Sequence, residues 1–194
     1  MIDVDKIVAL HRSLTSLWHI EFKLTQKESP WIQIEQNNMW NFKLWHEEDI
    51  ARITDIEPER IVIAKRNIDF YNQERNNAME RIDEWVLEIL RPLIDKNIEL
   101  HSETPGMMID RLSIMNLKLF HMQEEAIRVD ADDSHKIKCL HKVGILLEQI
   151  NDLKGCLDKI FQKLSDGQIK FKVYRQLKMY NDPTLNPELY KRLK

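Results

Sequence analysis

The sequence predicts an all-α fold: an antiparallel up-and-down helical bundle of about five main helices with a short extended or irregular C-terminal tail. Apolar residues recur at intervals of three and four along nearly the whole chain, which is the period of an amphipathic helix. Only four of 194 residues are glycine, too few for a turn-rich β fold. The breaks between periodic segments carry helix punctuation, and short connections make successive helices antiparallel.

The first helix is expected over Val4–Gln26, with Ile7, Leu10, Leu14, Leu17 and Trp18 on one stripe and "KESPW" as its end. The second spans about Trp31–Thr54, and "DIEPER" makes a tight turn. The third runs from Pro58 to about Leu100, where Pro92, lacking a donor, kinks or divides it. Thr104 is placed to cap the fourth, with Pro105 at its first position, and it should reach about Arg128. Ser134 is the expected cap of the fifth, which runs to about Leu164 before Gly167 stops it. "IKFKVY" has a period of two; without a second convincing strand it reads as an extended arm, followed by a terminal helix capped by Asn186. The expected organisation is a bundle over 1–166 and an arm over 167–194 on one domain, a length that buries about two thirds of the unfolded surface.

Apolar runs stay far below the ~20 residues of a membrane span, and the N-terminus lacks the basic start of a signal peptide, so the expected compartment is the cytoplasm. Cys139 and Cys156 would lie about 25 Å apart on one helix, too far to bridge. The net charge of -3 is uneven: ten Lys or Arg and four Asp or Glu from Lys154 onward give +6 there and -9 elsewhere. A basic end without a nucleic-acid-binding signature reads as a solvated surface, so nucleic acid is not the expected partner.

The functional signal is polar residues in the wrong place. On the third helix Ile61, Ala64, Ile68, Tyr71, Ala78, Ile82, Trp85 and Ile89 form the core face. A separate stripe holds Lys65, Asp69, Asn72, Gln73, Asn76, Glu80 and Asp83, with apolar Val62 and Leu87 at its ends. Short amides and aspartates are mediocre helix formers, so propensity does not explain them. On the second helix Asn38, Trp45, Asp49 and Arg52 share a face, with Asn41 leaning the same way. The antiparallel turn brings these faces together, with Arg52–Asp69 and Asp49–Lys65 as the expected pairs. The fourth helix adds Asp110, Arg111, Lys118, His121 and Glu125. Buried charges cost several kcal/mol unless paired, so such stripes form either a closed network that fixes helix register or a ligand pocket.

Four segments, "LWHEEDIAR", "AKRNIDFYNQERNNAMERID", "ETPGMMIDRLSIMNLK" and "KVYRQLKMYNDPTLNP", carry a resemblance. The chain resembles, over nearly its whole length, a bacterial all-helical family classified as a domain of unknown function. That family's pattern has "RND" where this chain has "RNN", which puts Asn77 at an acidic position. The resemblance implies a setting near sugar-transfer enzymes of cell-envelope glycan assembly and no activity. Its family-like positions Trp45, His46, Glu47, Asp49, Arg52, Lys65, Arg66, Asp69, Asn72, Gln73, Arg75, Asn76 and Glu80 include most of the polar stripe.

Chemistry is less defined. None of the seven histidines lies four residues from another, there is no Glu-x-x-His pair, and Glu80 with Asp83 offers half of an acidic magnesium motif, so no metal and no cofactor are expected. No serine elbow or phosphate-binding glycine loop is present. Acid–base work by His46, Glu47 or Asp49, with Arg52, Lys65, Arg111 and Lys118 holding an anionic substrate, remains open, and so does whether the protein is an enzyme. Trp31, Trp40 and Trp45 read as core or inter-helix wedges. The expected function is a cytoplasmic protein with a polar inter-helix site for a small anionic ligand. The candidate residues are Trp45, His46, Asp49, Arg52, Lys65, Asp69, Asn72, Gln73, Asn76, Glu80, Arg111 and Lys118. The alternative is a scaffold or partner-binding protein, with Met107, Met108, Met115 and Met122 as an adaptable contact surface and homo-oligomerisation left open.

Overall fold

The computed structural model describes residues 2–90, 98–177, 179 and 182–191. It is an all-α bundle: α1 Val4–Trp18, α2 Trp31–Ile50, α3 Pro58–Leu90, α4 Pro105–Ile127, α5 Asp133–Ser165 and the short α6 Pro187–Tyr190. Two two-residue strands, β1 Glu99–Leu100 and β2 Ile169–Lys170, join in parallel. No described helix is long and apolar enough to cross a membrane.

Local chemistry sets most of the boundaries. Asp3 caps α1 by accepting from the Lys6 amide at 3.2 Å. Thr104 does the same for Met107 at the start of α4, behind Pro105. The cap of α5 is Asp132, which accepts from the His135 amide at 2.8 Å; Ser134 lies inside the helix. Gly167 ends that helix with a φ of 66°, a conformation that glycine reaches without a Cβ penalty. Asn186 caps α6 as expected.

Three expectations are corrected. Helix α1 stops at Trp18, not near Gln26, and the following segment is held by side chains. Trp18 Nε1 donates to the Lys23 carbonyl at 2.8 Å, and the buried Glu35 carboxylate accepts from the Thr25 and Gln26 amides at 2.8 and 2.7 Å. Those bonds satisfy a non-helical backbone that the helical period alone would have kept helical. Glu99 and Leu100 are strand, not the end of α3. They supply the partner that "IKFKVY" lacked: Glu99 pairs with Ile169 and Leu100 with Lys170, while Ile169 and Phe171 enter the core. The expected kink at Pro92 lies outside the described residues. Cys139 is buried and Cys156 exposed, both as free thiols.

Helix α4 packs against α1, α2, α3 and α5, and α2 lies along α3. Ile7, Ile34, Ile82, Ile109, Leu112 and Leu157 are fully buried in the main apolar cluster, and Leu14, Trp18, Met39, Phe42 and Leu117 form a second. Burying each such side chain contributes about 1.5–3 kcal/mol. On α3, Ala64, Ile68, Ala78 and Ile82 are core as expected, but Ile89 is exposed, while Val86 is buried and Leu87 and Leu90 pack on the core at that end.

Candidate functional site

A buried polar network joins α2 to α4. Asn37 and Asn41 each donate from Nδ2 to Asp110 Oδ1, at 2.9 and 2.8 Å. Asn41 also reaches Ser113 Oγ, and Ser113 donates to Asn38 Oδ1 at 2.6 Å. Asn37, Asn38, Asn41, Asp110 and Ser113 are all buried. From α3, Arg75 Nε stands 3.5 Å from Asp110 Oδ1, close enough for charge compensation but outside hydrogen-bond geometry, so the pair acts through Coulomb attraction. On α1, Arg12 Nε donates to Asn116 Oδ1 at 2.9 Å.

Helical periodicity brought the polar faces of α2 and α3 together as either a closed network or a pocket; the structure closes a network between α2 and α4 and leaves a cleft beside α3. Helix α2 touches α1, α3 and α4, so amides beside its supposed polar face are buried as well. The cross-helix Arg52–Asp69 pair gives way to local contacts four residues apart: Arg52 Nη1, just beyond α2, with Glu48 Oε2 at 2.6 Å, and Lys65 Nζ with Asp69 Oδ1 on α3 at 2.6 Å, both exposed. Side-chain ties between α2 and α3 include Glu47, which accepts from Arg60 at 3.2 Å and from Asn67 at 3.0 Å, and Gln36, which accepts from Arg81 at 3.4 Å.

The twelve candidates therefore divide. Trp45, Asp49, Arg52 and Asn72 line one cleft of about 300 Å³ between α2, α3 and α4, joined by Asn41 and Arg75. Gln73 bonds Asn77 on its own helix, and Asn76 is buried. Glu80 holds the C-terminal arm through the Arg175 guanidinium at 2.7 Å and the Gln176 amide at 2.9 Å. Arg111 pairs with Glu103, and with Lys118 it borders a different groove beside α5.

His46 is turned away from the cleft and meets two other histidines. Ligand-capable atoms of His19, His46 and His121 all lie within 4.8 Å of one another. Burial lowers the basicity of His46, and His19 and His121 lower it further. Helical spacing concealed this group because each ring comes from a different part of the bundle. A Glu125–His135–Cys139 chain also appears, at 2.9 and 3.4 Å, but both contacts use His135 Nε2, so no proton relay runs through the ring.

Two titrating groups lie elsewhere. Asp83 on α3, displaced toward about 6 by burial, accepts from the Gly106 amide at 2.7 Å. His11 is wholly buried, its basicity reduced to about 3 by desolvation, and neither ring nitrogen has a protein partner among the described residues.

A family model described as "Protein of unknown function (DUF4254)" matches residues 31–173. The chain belongs to the DUF4254 family. The DUF4254 match takes in α2 through β2, and so the cleft and the α2–α4 network, while α1 with His11 and His19 precedes it. Neither the curated proteins nor the solved structures contain a match to this chain.

Proposed function

We propose that this chain is a cytoplasmic binding protein for a small ligand that carries an anionic group and several hydroxyls, of the sugar-phosphate or nucleotide-sugar class. The observation that carries this reading is the cleft lined by Arg52, Arg75, Glu48, Asp49, Asn41 and Asn72 beside Trp45. Two guanidiniums suit a phosphate. Asp49, and Glu48 already paired with Arg52, would repel a purely anionic ligand but accept from hydroxyls, as the amides do, and Trp45 offers an apolar face. Arg75 is pre-positioned, because Asp110 behind it is fixed by Asn37 and Asn41. The glycan-assembly setting implied by the sequence resemblance fits the same ligand class.

Thermal-shift measurements against nucleotide sugars, sugar phosphates and free nucleotides test it, since a ligand bound only by the native state raises the melting temperature. The expected result is a rise with a phosphorylated sugar that Arg52→Ala abolishes without changing the unliganded melting temperature. A rise of equal size in Arg52→Ala and Asn72→Ala would remove the cleft from consideration. The competing reading, a partner-binding protein whose polar seam is purely structural, draws on Ile137, Leu140 and Ile145, all exposed on α5. It expects no ligand response, and association that Leu140→Glu disperses in light scattering.

A further inference from the structure

We infer that His19, His46 and His121 form a binding site for a divalent transition-metal ion of the zinc class. His19 immediately follows α1, His46 lies on the C-terminal half of α2 and His121 on the C-terminal half of α4. Their ring centroids are 5.2 Å apart for His19–His46, 5.1 Å for His19–His121 and 5.7 Å for His46–His121. Zinc–imidazole bonds of about 2.0–2.1 Å in a tetrahedron set their nitrogens ~3.4 Å apart, so the rings need to close by roughly 1 Å.

The outer contacts orient two rings as metal-bound histidines are oriented. His19 Nδ1 lies 2.7 Å from the Thr15 carbonyl, which can only accept, so Nδ1 carries the proton and Nε2 the lone pair. His121 Nδ1 lies 2.9 Å from Glu124 Oε2, the carboxylate–histidine contact that sets the ring orientation of a metal-bound histidine. The opposite atom, His121 Nε2, is buried with no protein partner among the described residues. A ring packed only for bulk would more often direct that nitrogen to water or to an acceptor.

Aromatic side chains fix the three planes. Trp45 stacks on His121 at 4.8 Å and 11°, Phe120 stacks on His19 at 4.4 Å and 21°, and Phe42 meets His46 edge-on at 4.5 Å. Rings held in fixed planes lose little freedom when they ligate an ion, which favours a preformed site. Three imidazoles select a borderline-soft ion over magnesium or calcium, which take oxygen ligands. Three protein ligands also leave a fourth position for an exogenous group, and His121 borders an apolar pocket of about 510 Å³ that Trp45, Met122 and Leu146 help to line. The site does not rest on the cleft reading, because no histidine lines the cleft and Trp45, which borders both, is not a proposed ligand.

The test uses the untagged full chain, stripped with a chelator and titrated with Zn²⁺, Co²⁺ and Mg²⁺. Expected are one equivalent of Zn²⁺, the visible absorption of tetrahedral Co²⁺, and no competition from Mg²⁺. His46→Ala and His121→Ala should each weaken Zn²⁺ binding by at least about 100-fold, Glu124→Gln by about 10-fold, and His141→Ala not at all. Circular dichroism checks that the variants fold, and Glu124→Gln decides the matter if the histidine variants do not. Absence of Zn²⁺ uptake by the native chain, or unchanged affinity in Glu124→Gln and in a folded histidine variant, overturns the assignment.

Discussion

The Asp83 carboxylate receives the Gly106 amide at 2.7 Å and so fastens the first turn of α4 onto α3. The contact is possible only because residue 106 has no side chain. A Cβ there would stand 2.5 Å from the Met79 carbonyl oxygen and 2.9 Å from Asp83 Oδ1. Gly106→Ala is therefore expected to lower stability by about 1–3 kcal/mol, the usual range for overpacking a closed contact. Urea denaturation measures it, and an unchanged midpoint would contradict this close approach.

The same carboxyl gives a pH dependence. Its native pKa of about 6 exceeds the unfolded value of 3.8, so the native state holds the proton more tightly. Its contribution is full below pH 3.8 and is lost as pH rises through 6, by up to about 3 kcal/mol. Asp83→Asn keeps an acceptor for the Gly106 amide and removes this titration. Stability of the variant should rise more steeply than wild type between pH 4 and 6, and urea titrations across that window would show it.

His11 acts in the opposite sense. Its native pKa of about 3 lies below the ordinary 6.5, so its contribution is full above pH 6.5 and is lost as pH falls toward 3. Each unit in that window is worth about 1.4 kcal/mol. Between pH 4 and 6 the two groups offset one another, which flattens the wild-type profile. His11→Leu is expected to gain stability relative to wild type as pH falls from 6.5 to 4.5, since the opposing His11 slope is removed and its ring gives up no protein hydrogen bond among the described residues. A denaturation midpoint that falls equally in wild type and His11→Leu from pH 6.5 to 4.5 would rule out His11 as the cause.

Asp110→Ala and Asp69→Ala should differ sharply. Asp110 is buried, accepts from Asn37 and Asn41 and faces Arg75; its loss strands these groups and is expected to cost about 3–5 kcal/mol. Asp69 is 39% exposed beside a Lys65 that is 67% exposed, so the cost is about 0–1 kcal/mol. Thermal melts of both variants decide between this arrangement and a seam centred on Asp69.

Part of the candidate site was legible before the fold. The face shared by Trp45, Asp49 and Arg52 does meet Asn72 across a cleft, because the short turn after α2 forces α3 to run back along it. The closed side of the site was not legible. Asn37 and Ser113 look unremarkable in sequence, and their burial follows from α4 lying against α2, a long-range contact that no turn dictates. Glu80 and Arg111 were drawn into the list by helical position, yet one holds the C-terminal arm and the other pairs with Glu103.

By itself the sequence determined that there are five main helices, the Thr104 and Asn186 caps and the stop at Gly167, because each depends on nearby residues, but not where α1 ends. It also determined that polar groups lie on faces that pack. Only the tertiary structure decided which faces meet: that α4 sits among four helices, that Glu99–Leu100 pairs with Ile169–Lys170, and that His19, His46 and His121 converge. Periodicity reports the angle of a side chain about its own helix axis, whereas convergence depends on how distant helices pack, and packing is fixed by the whole core at once.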